Sequence, residues 1–161
     1  SKGSPHDALP TQNSPIFSLA VSPDGGMLAA GVRDEVQIWS LRTKSLITTI
    51  SPQAGSITGN PRGGPRGGRM PGGFFSSFGA LDFVKNGAVL LAANRWSVRR
   101  WNTSDWVEAP PLPQAVGPTV VSATGERLAL RSRGSRERSG NLSIFSAEDF
   151  EEVWQFESGL T

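Results

Sequence analysis

The chain has 161 residues, 37% of them hydrophobic and 19% charged, the composition of a soluble globular domain large enough to bury a core of its own. It contains no cysteine, which excludes disulfides, thiolate catalysis and cysteine-based zinc sites. Its net charge is only +2 and its one histidine, His6, lies in a polar, proline-flanked tail, so a histidine metal cluster and a Ser-His-Asp triad are disfavoured.

Nineteen glycines and twelve prolines punctuate the sequence and favour many short strands over a few long helices. No window approaches eighteen consecutive apolar residues, so no membrane-spanning helix is expected, and the N-terminal stretch lacks the apolar run of a signal peptide. A soluble protein, with the cytoplasm slightly favoured, is the expectation. The absence of an initiator Met leads us to expect a piece of something longer.

Residues 1–15 are polar and aperiodic and read as a lead-in or linker. From Ile16 the pattern changes: Phe17, Leu19 and Val21 alternate with Ser18, Ala20 and Ser22, as in a strand. Pro23-Asp24-Gly25-Gly26 is a turn, because Pro presets φ, Asp bonds its own backbone and Gly accepts positive φ. A strand is expected at Met27 to Ala30, a turn at Gly31 to Asp34, and strands at Glu35 to Trp39 and Leu46 to Ile50. Residues 16–50 thus form one four-stranded unit.

The unit returns. Fourteen positions separate Gly25 from Trp39, and fourteen separate Gly87 from Trp101, which sets Leu28 on Leu90, Ala30 on Ala92 and Val36 on Val98. A strand over Phe78 to Phe83 precedes this second copy, and Trp106-Val107 follows as a short fourth strand stopped by Pro110 and Pro111. A third copy replays the turn at Ser122 to Gly125 and the aromatic-ended strand at Asn141 to Phe145, with six extra residues in a basic loop at Arg131 to Gly140. Phe150 to Phe156 would close it. The chain therefore divides into a lead-in at 1–15, units at 16–50, 74–113 and 114–161, and a Gly/Pro/Arg-rich insertion at 51–73.

Ser22-Pro23-Asp24-Gly25, with Leu28-Ala29-Ala30-Gly31 and Val36-Gln37-Ile38-Trp39, resembles a blade of a WD-repeat β-propeller, and the 38 residues between Gly87 and Gly125 are close to that family's period. The resemblance covers nearly all of residues 16–156. It implies an all-β fold: a partial or oligomer-completed propeller of about three four-stranded antiparallel blades. It further implies a non-enzymatic scaffold, without cofactor, that binds other proteins of unknown identity and has no membrane role. Asp24, Gly25, Gly87 and Gly125 become turn residues, and Trp39, Trp101 and Phe145 become blade pillars. Asp34 would serve Trp39 in the family's hydrogen-bonded network, but its counterpart in the second copy is Trp96. The Trp-Asp dipeptide itself reads Trp39-Ser40, Trp101-Asn102 and Phe145-Ser146.

Propellers close with about four to eight blades, so three leave two end sheets uncovered. A fragment of a longer propeller, or copies that complete a ring by self-association, is expected. Two arginine clusters are the candidate contacts for a partner: Arg62, Arg66 and Arg69 in the insertion, and Arg131, Arg133, Arg136 and Arg138 in the third unit. Nucleic-acid or phosphate binding through them is the alternative function, disfavoured because the arginines are few and Glu126 and Glu137 dilute the second cluster. Arg99 and Arg100 fall on opposite faces of a strand, and one of them can stack on an aromatic ring between blades.

Overall fold

Alternating apolar residues between Gly-containing turns build twelve short strands, seen in a computed structural model that describes residues 14–32, 35–51, 78–94, 97–110, 112, 115–133 and 140–156. The first sheet comprises β1 (Ile16–Val21), β2 (Met27–Val32), β3 (Glu35–Ser40) and β4 (Ser45–Ile50). The second comprises β5 (Ala80–Val84), β6 (Val89–Ala93), β7 (Val98–Asn102) and β8 (Glu108–Ala109). The third comprises β9 (Ala115–Val121), β10 (Arg127–Arg133), β11 (Gly140–Ser146) and β12 (Glu152–Phe156). Each sheet is an antiparallel meander in chain order.

The register fulfils the internal comparison. Leu28 lies opposite Trp39, Leu90 opposite Trp101 and Leu128 opposite Phe145. Alternation sends one set of side chains from each sheet toward the sheet before it and the other set toward the sheet after it. Ala29, Val36 and Ile38 of the first sheet therefore share a core with Leu90, Ala92 and Trp101 of the second. Leu91, Ala93 and Val98 of the second share another core with Leu128, Leu130 and Phe145 of the third. Phe78 fits edge-on against Trp101, with centroids 6.2 Å apart. Because both faces of the middle sheet are covered, all of β6 is buried.

The first turn works through side chains. Ser22 Oγ donates to Asp24 Oδ1 at 2.5 Å, Gly26 N donates to the same oxygen at 3.0 Å, and Gly25 N reaches Ser22 O at 2.8 Å with φ at +67°. These bonds hold the Asp24 carboxyl below its ordinary pKa, the Ser22 hydroxyl being the main cause and the Gly26 amide the next. The third sheet repeats the turn with Thr124 in place of Asp24, and Gly125 takes φ of +72°.

Five local expectations need correction. The closing strand expected over Phe150 to Phe156 begins at Glu152, because Phe150 sits in a left-handed turn (φ +61°) with its N–H on Ser146 O at 3.0 Å. The strand expected to stop at Ala30 continues to Val32, since Gly31 and Val32 still pair with β1 and β3. The strand expected from Phe78 begins at Ala80. The fourth strand of the second sheet is Glu108–Ala109 rather than Trp106-Val107, because Trp106 is held in a left-handed turn (φ +58°) by its N–H on Asn102 O at 2.8 Å. Arg131 and Arg133, assigned to a loop, lie in β10, whose pairing with β11 runs on to Arg133.

Candidate interaction surface

Meander connectivity puts the β1–β2 and β3–β4 turns of a sheet at one end, and the same holds for the other two sheets. These turns form a common rim. Within each sheet one backbone bond latches the later turn to the earlier: Leu41 N to Gly26 O at 2.9 Å, Thr103 N to Ala88 O at 3.0 Å, and Ala147 N to Glu126 O at 2.9 Å. The residues that these latches hold, among them Asp24, Arg42, Lys44, Asn86, Asp105 and Glu148, are exposed. Backbone latches tie the two turns of each sheet together, while within the turns the Asp24 and Asp105 carboxylates accept from the Gly26 and Val107 amides.

Between the second and third sheets the rim opens into a groove of about 510 Å³, lined by Lys85, Asn86, Glu126, Arg127 and Glu148 among others. Its charges are mixed, two cations facing two carboxylates. A second groove of about 460 Å³ runs between the first strands of the three sheets, where Leu19, Val21, Phe83 and Val121 surround Asp82. Burial raises the pKa of the Asp82 carboxyl, and a hydrogen bond from Thr119 Oγ1 at 3.4 Å offsets only part of that.

The junction of the second and third sheets is also pinned from the side. Phe150, at φ +61°, lies beneath the Arg100 guanidinium, 4.6 Å from its centroid, and the Lys85 ammonium is 5.5 Å away. Arg100 Nε donates to Pro110 O at 2.7 Å, and burial lowers its pKa from the ordinary guanidinium value. Arg99 points the other way, is 4% exposed and binds Glu108 Oε1 at 2.8 Å. The expected division of the two arginines is what the strand shows. Phe150 as the aromatic platform was not foreseen, because no spacing rule announces a turn residue at positive φ.

The predicted partner contacts fare unevenly. Arg62, Arg66, Arg69, Arg136 and Arg138 lie outside the described residues, as do Asp34 and Trp96 of the family network. Arg131 is exposed in β10 on the sheet face away from the second sheet, and Arg133 ends the strand. Arg127, at the other end of β10, lines the rim groove. Gly87 sits in a 3-10 turn after Lys85 and Asn86, all three at positive φ, with Pro23 of the first sheet packed beside it. Trp39 and Trp101 are both buried. Among the described residues no group of three or more His, Asp or Glu side chains is placed to hold a metal, and no helix is long and apolar enough to cross a membrane.

No family model matches the sequence, and no curated protein matches it. Solved structures do match. The Swd1 β-propeller domain of Myceliophteria thermophila superposes with a TM-score of 0.63 at 16% identity, over 92% of this chain and 44% of that one. The WD40 repeats of RRP9 give 0.61 at 15% identity, over 92% and 40%. Hydrazine synthase of Kuenenia stuttgartiensis gives 0.62 at 14% identity, over 88% and 37%. The chain spans about two fifths of the length of these solved chains. Their identities are low enough that the likeness concerns fold, and that fold is shared by a hydrazine synthase and by WD40-repeat proteins alike. Three meander sheets stacked face to face, each with its Leu opposite an aromatic, give this chain a β-propeller fold, three blades of it.

Proposed function

We propose that the chain is a WD-repeat interaction scaffold, a three-bladed portion of a larger propeller whose rim turns receive other proteins. The observation that carries this reading is the triple latch. Leu41, Thr103 and Ala147 donate to equivalent carbonyls, so the two turns of each sheet are tied by main chain while residues such as Arg42, Asn86 and Glu148 stay exposed above them. A surface pre-ordered in this way loses little conformational entropy on binding. The share of about two fifths supports a ring of more than three blades and an excerpt of a longer protein. The domain limits given above, 16–50, 74–113 and 114–161, are proposed as the blades of that portion, and no catalytic role is proposed for it.

The test is cross-linking and amide-exchange footprinting on a complex captured from the native source. Protection should fall on Pro23–Gly26, Leu41–Lys44 and Ala123–Arg127. Binding of single-stranded RNA that weakens steeply with salt, together with no footprint on these turns, would replace the scaffold by the arginine-based alternative.

A further inference from the structure

The first turn of the first sheet is built to hold an anion. Asp24 Oδ1 accepts from Ser22 Oγ and from Gly26 N, and these donors keep the carboxyl below its ordinary pKa, the hydroxyl first and the amide second. The third sheet keeps the same arrangement of donors. Ser122 Oγ accepts from Arg127 N at 3.1 Å, as Ser22 Oγ accepts from Met27 N at 2.8 Å. Gly125 N donates to Ser122 O as Gly25 N donates to Ser22 O, both at 2.8 Å. Only the acceptor differs. Thr124 stands where Asp24 stands, a neutral hydroxyl in place of a carboxylate.

Thr124 leaves those donors largely unused. Its Oγ1 lies 3.2 Å from Ser122 Oγ and donates to Glu126 Oε2 over a long 3.4 Å. The Glu126 amide, equivalent to Gly26 N, has no acceptor among the described residues. Thr124 is exposed in the turn, so its hydroxyl is open to a reagent as large as an enzyme.

Two cations stand beside the turn. Thr124 lines the rim groove between the second and third sheets together with Lys85 and Arg127. Among the described residues neither cation enters an ion pair: the Lys85 ammonium rests near the Phe150 ring and exerts only a minor pull on Asp149, and the Arg127 guanidinium has no hydrogen-bond partner. Glu126 and Glu148 line the same groove, and both are exposed. They oppose a further negative charge through water, where opposition is weak, whereas an anion bonded to a cation gains a charge-assisted contact. A carboxylate at 124 would end at the turn. A phosphoryl group reaches one bond farther and carries three acceptor oxygens, enough for the Ser122 hydroxyl, the Glu126 amide and a cation across the groove.

We propose that Thr124 is a phosphorylation site, where the turn and the groove beside it receive and hold a phosphoryl group on Oγ1. In the transfer, Oγ1 attacks the terminal phosphorus of a nucleoside triphosphate held by a protein kinase. The Oγ1–P bond forms as the bond from that phosphorus to the bridging oxygen breaks, the hydroxyl proton passes to the kinase, and nucleoside diphosphate leaves. The product gives the third turn the anion that the first turn has in Asp24, at nearly twice the charge. The groove, two cations facing two carboxylates, becomes net negative. This goes beyond the scaffold reading and does not depend on it.

The test uses the 161-residue chain with phosphothreonine placed at 124 by directed incorporation during translation, and circular dichroism checks that it keeps its sheet content. Phosphorus NMR titrates the phosphate in the folded chain and in the urea-unfolded chain. Its second pKa, ordinarily about 6, should lie about half a pH unit or more lower in the folded chain than in urea. Lys85→Gln and Arg127→Gln should each return part of that difference, and the two together most of it. A phosphate that titrates as it does in urea or higher, or that is indifferent to both substitutions, would overturn the proposal. Peptide mapping by mass spectrometry of the chain isolated from its native source under phosphatase inhibition should find phosphate on Thr124. Phosphate on other hydroxyls only, or none at all, would equally overturn it.

Discussion

Glu108 is the residue whose loss the structure prices most sharply. It belongs to a strand of two residues, and it closes an ion pair on Arg99, 2.8 Å away, with the two side chains 19% and 4% exposed. At that distance and an effective dielectric of about 20 the attraction is ~6 kcal/mol. Removing each ion from water costs several kcal/mol, so the pair as a whole is close to break-even. Replacing Glu108 alone is a different matter, because the Arg99 guanidinium then remains buried and uncompensated. Complete burial would cost about 3–5 kcal/mol, and the residual exposure of Glu108 brings the expectation for Glu108→Leu down to about 2–3 kcal/mol. Combining it with Arg99→Leu removes the orphaned charge and should return all but about 1 kcal/mol. Urea unfolding followed by tryptophan fluorescence, run on both single variants and the double, measures the coupling. A Glu108→Leu cost under about 0.5 kcal/mol, or a double variant as unstable as the sum of the singles, would refute the reasoning.

Two further outcomes follow from the turns and the inner groove. Gly25 and Gly125 adopt φ of +67° and +72°, and a Cβ at either position would meet nothing within 4 Å. Ala at each site should therefore cost about 1–2 kcal/mol from backbone conformation alone, Asn should cost less, and equal costs for Ala and Asn in urea melts would contradict this. Asp82 has a pKa raised above its usual 3.8 by burial. The folded chain thus holds this proton more tightly than the unfolded chain, and ionisation of Asp82 at neutral pH opposes folding. That opposition fades as pH falls through the folded value toward 3.8, so Asp82→Asn should stabilise at pH 7 and lose its advantage near pH 4. Destabilisation by Asp82→Asn at pH 7 would show that the Thr119 hydrogen bond outweighs desolvation.

Much of the fold was legible because its determinants are local. Period-2 alternation marked the strands, Asp24-Gly25 and Gly125 marked turns with a mechanism, and equal spacing from Gly87 to Trp101 fixed the register of the second sheet. The misreadings arose where backbone bonding overrode side-chain pattern. Gly31 reads as a turn residue, yet it stays paired on both sides. Trp106 and Val107 read as strand, yet the Asn102 carbonyl curls the chain before it can pair. Arg131 and Arg133 read as loop because the six extra residues of the third unit were placed at Arg131 to Gly140, whereas β10 and β11 stay paired as far as Arg133 and Gly140. Of the surfaces, the uncovered apolar ends were visible in Phe17-Leu19-Val21 and in Trp154 and Phe156. The latches and the Phe150 platform were not, since main-chain carbonyls and positive φ leave no signature in residue type.

The latch between Leu41 N and Gly26 O, with its two counterparts, separates holding from recognising. An amide that donates to a carbonyl does so whichever side chains flank it. Substitutions at exposed rim residues that hold no turn, such as Arg42, Asn86 and Glu148, should therefore leave the sheets intact while rewriting the surface above them, provided that the positive-φ positions are respected. If the rim is the interaction surface proposed above, its preferences can be changed one residue at a time over three unaltered sheets.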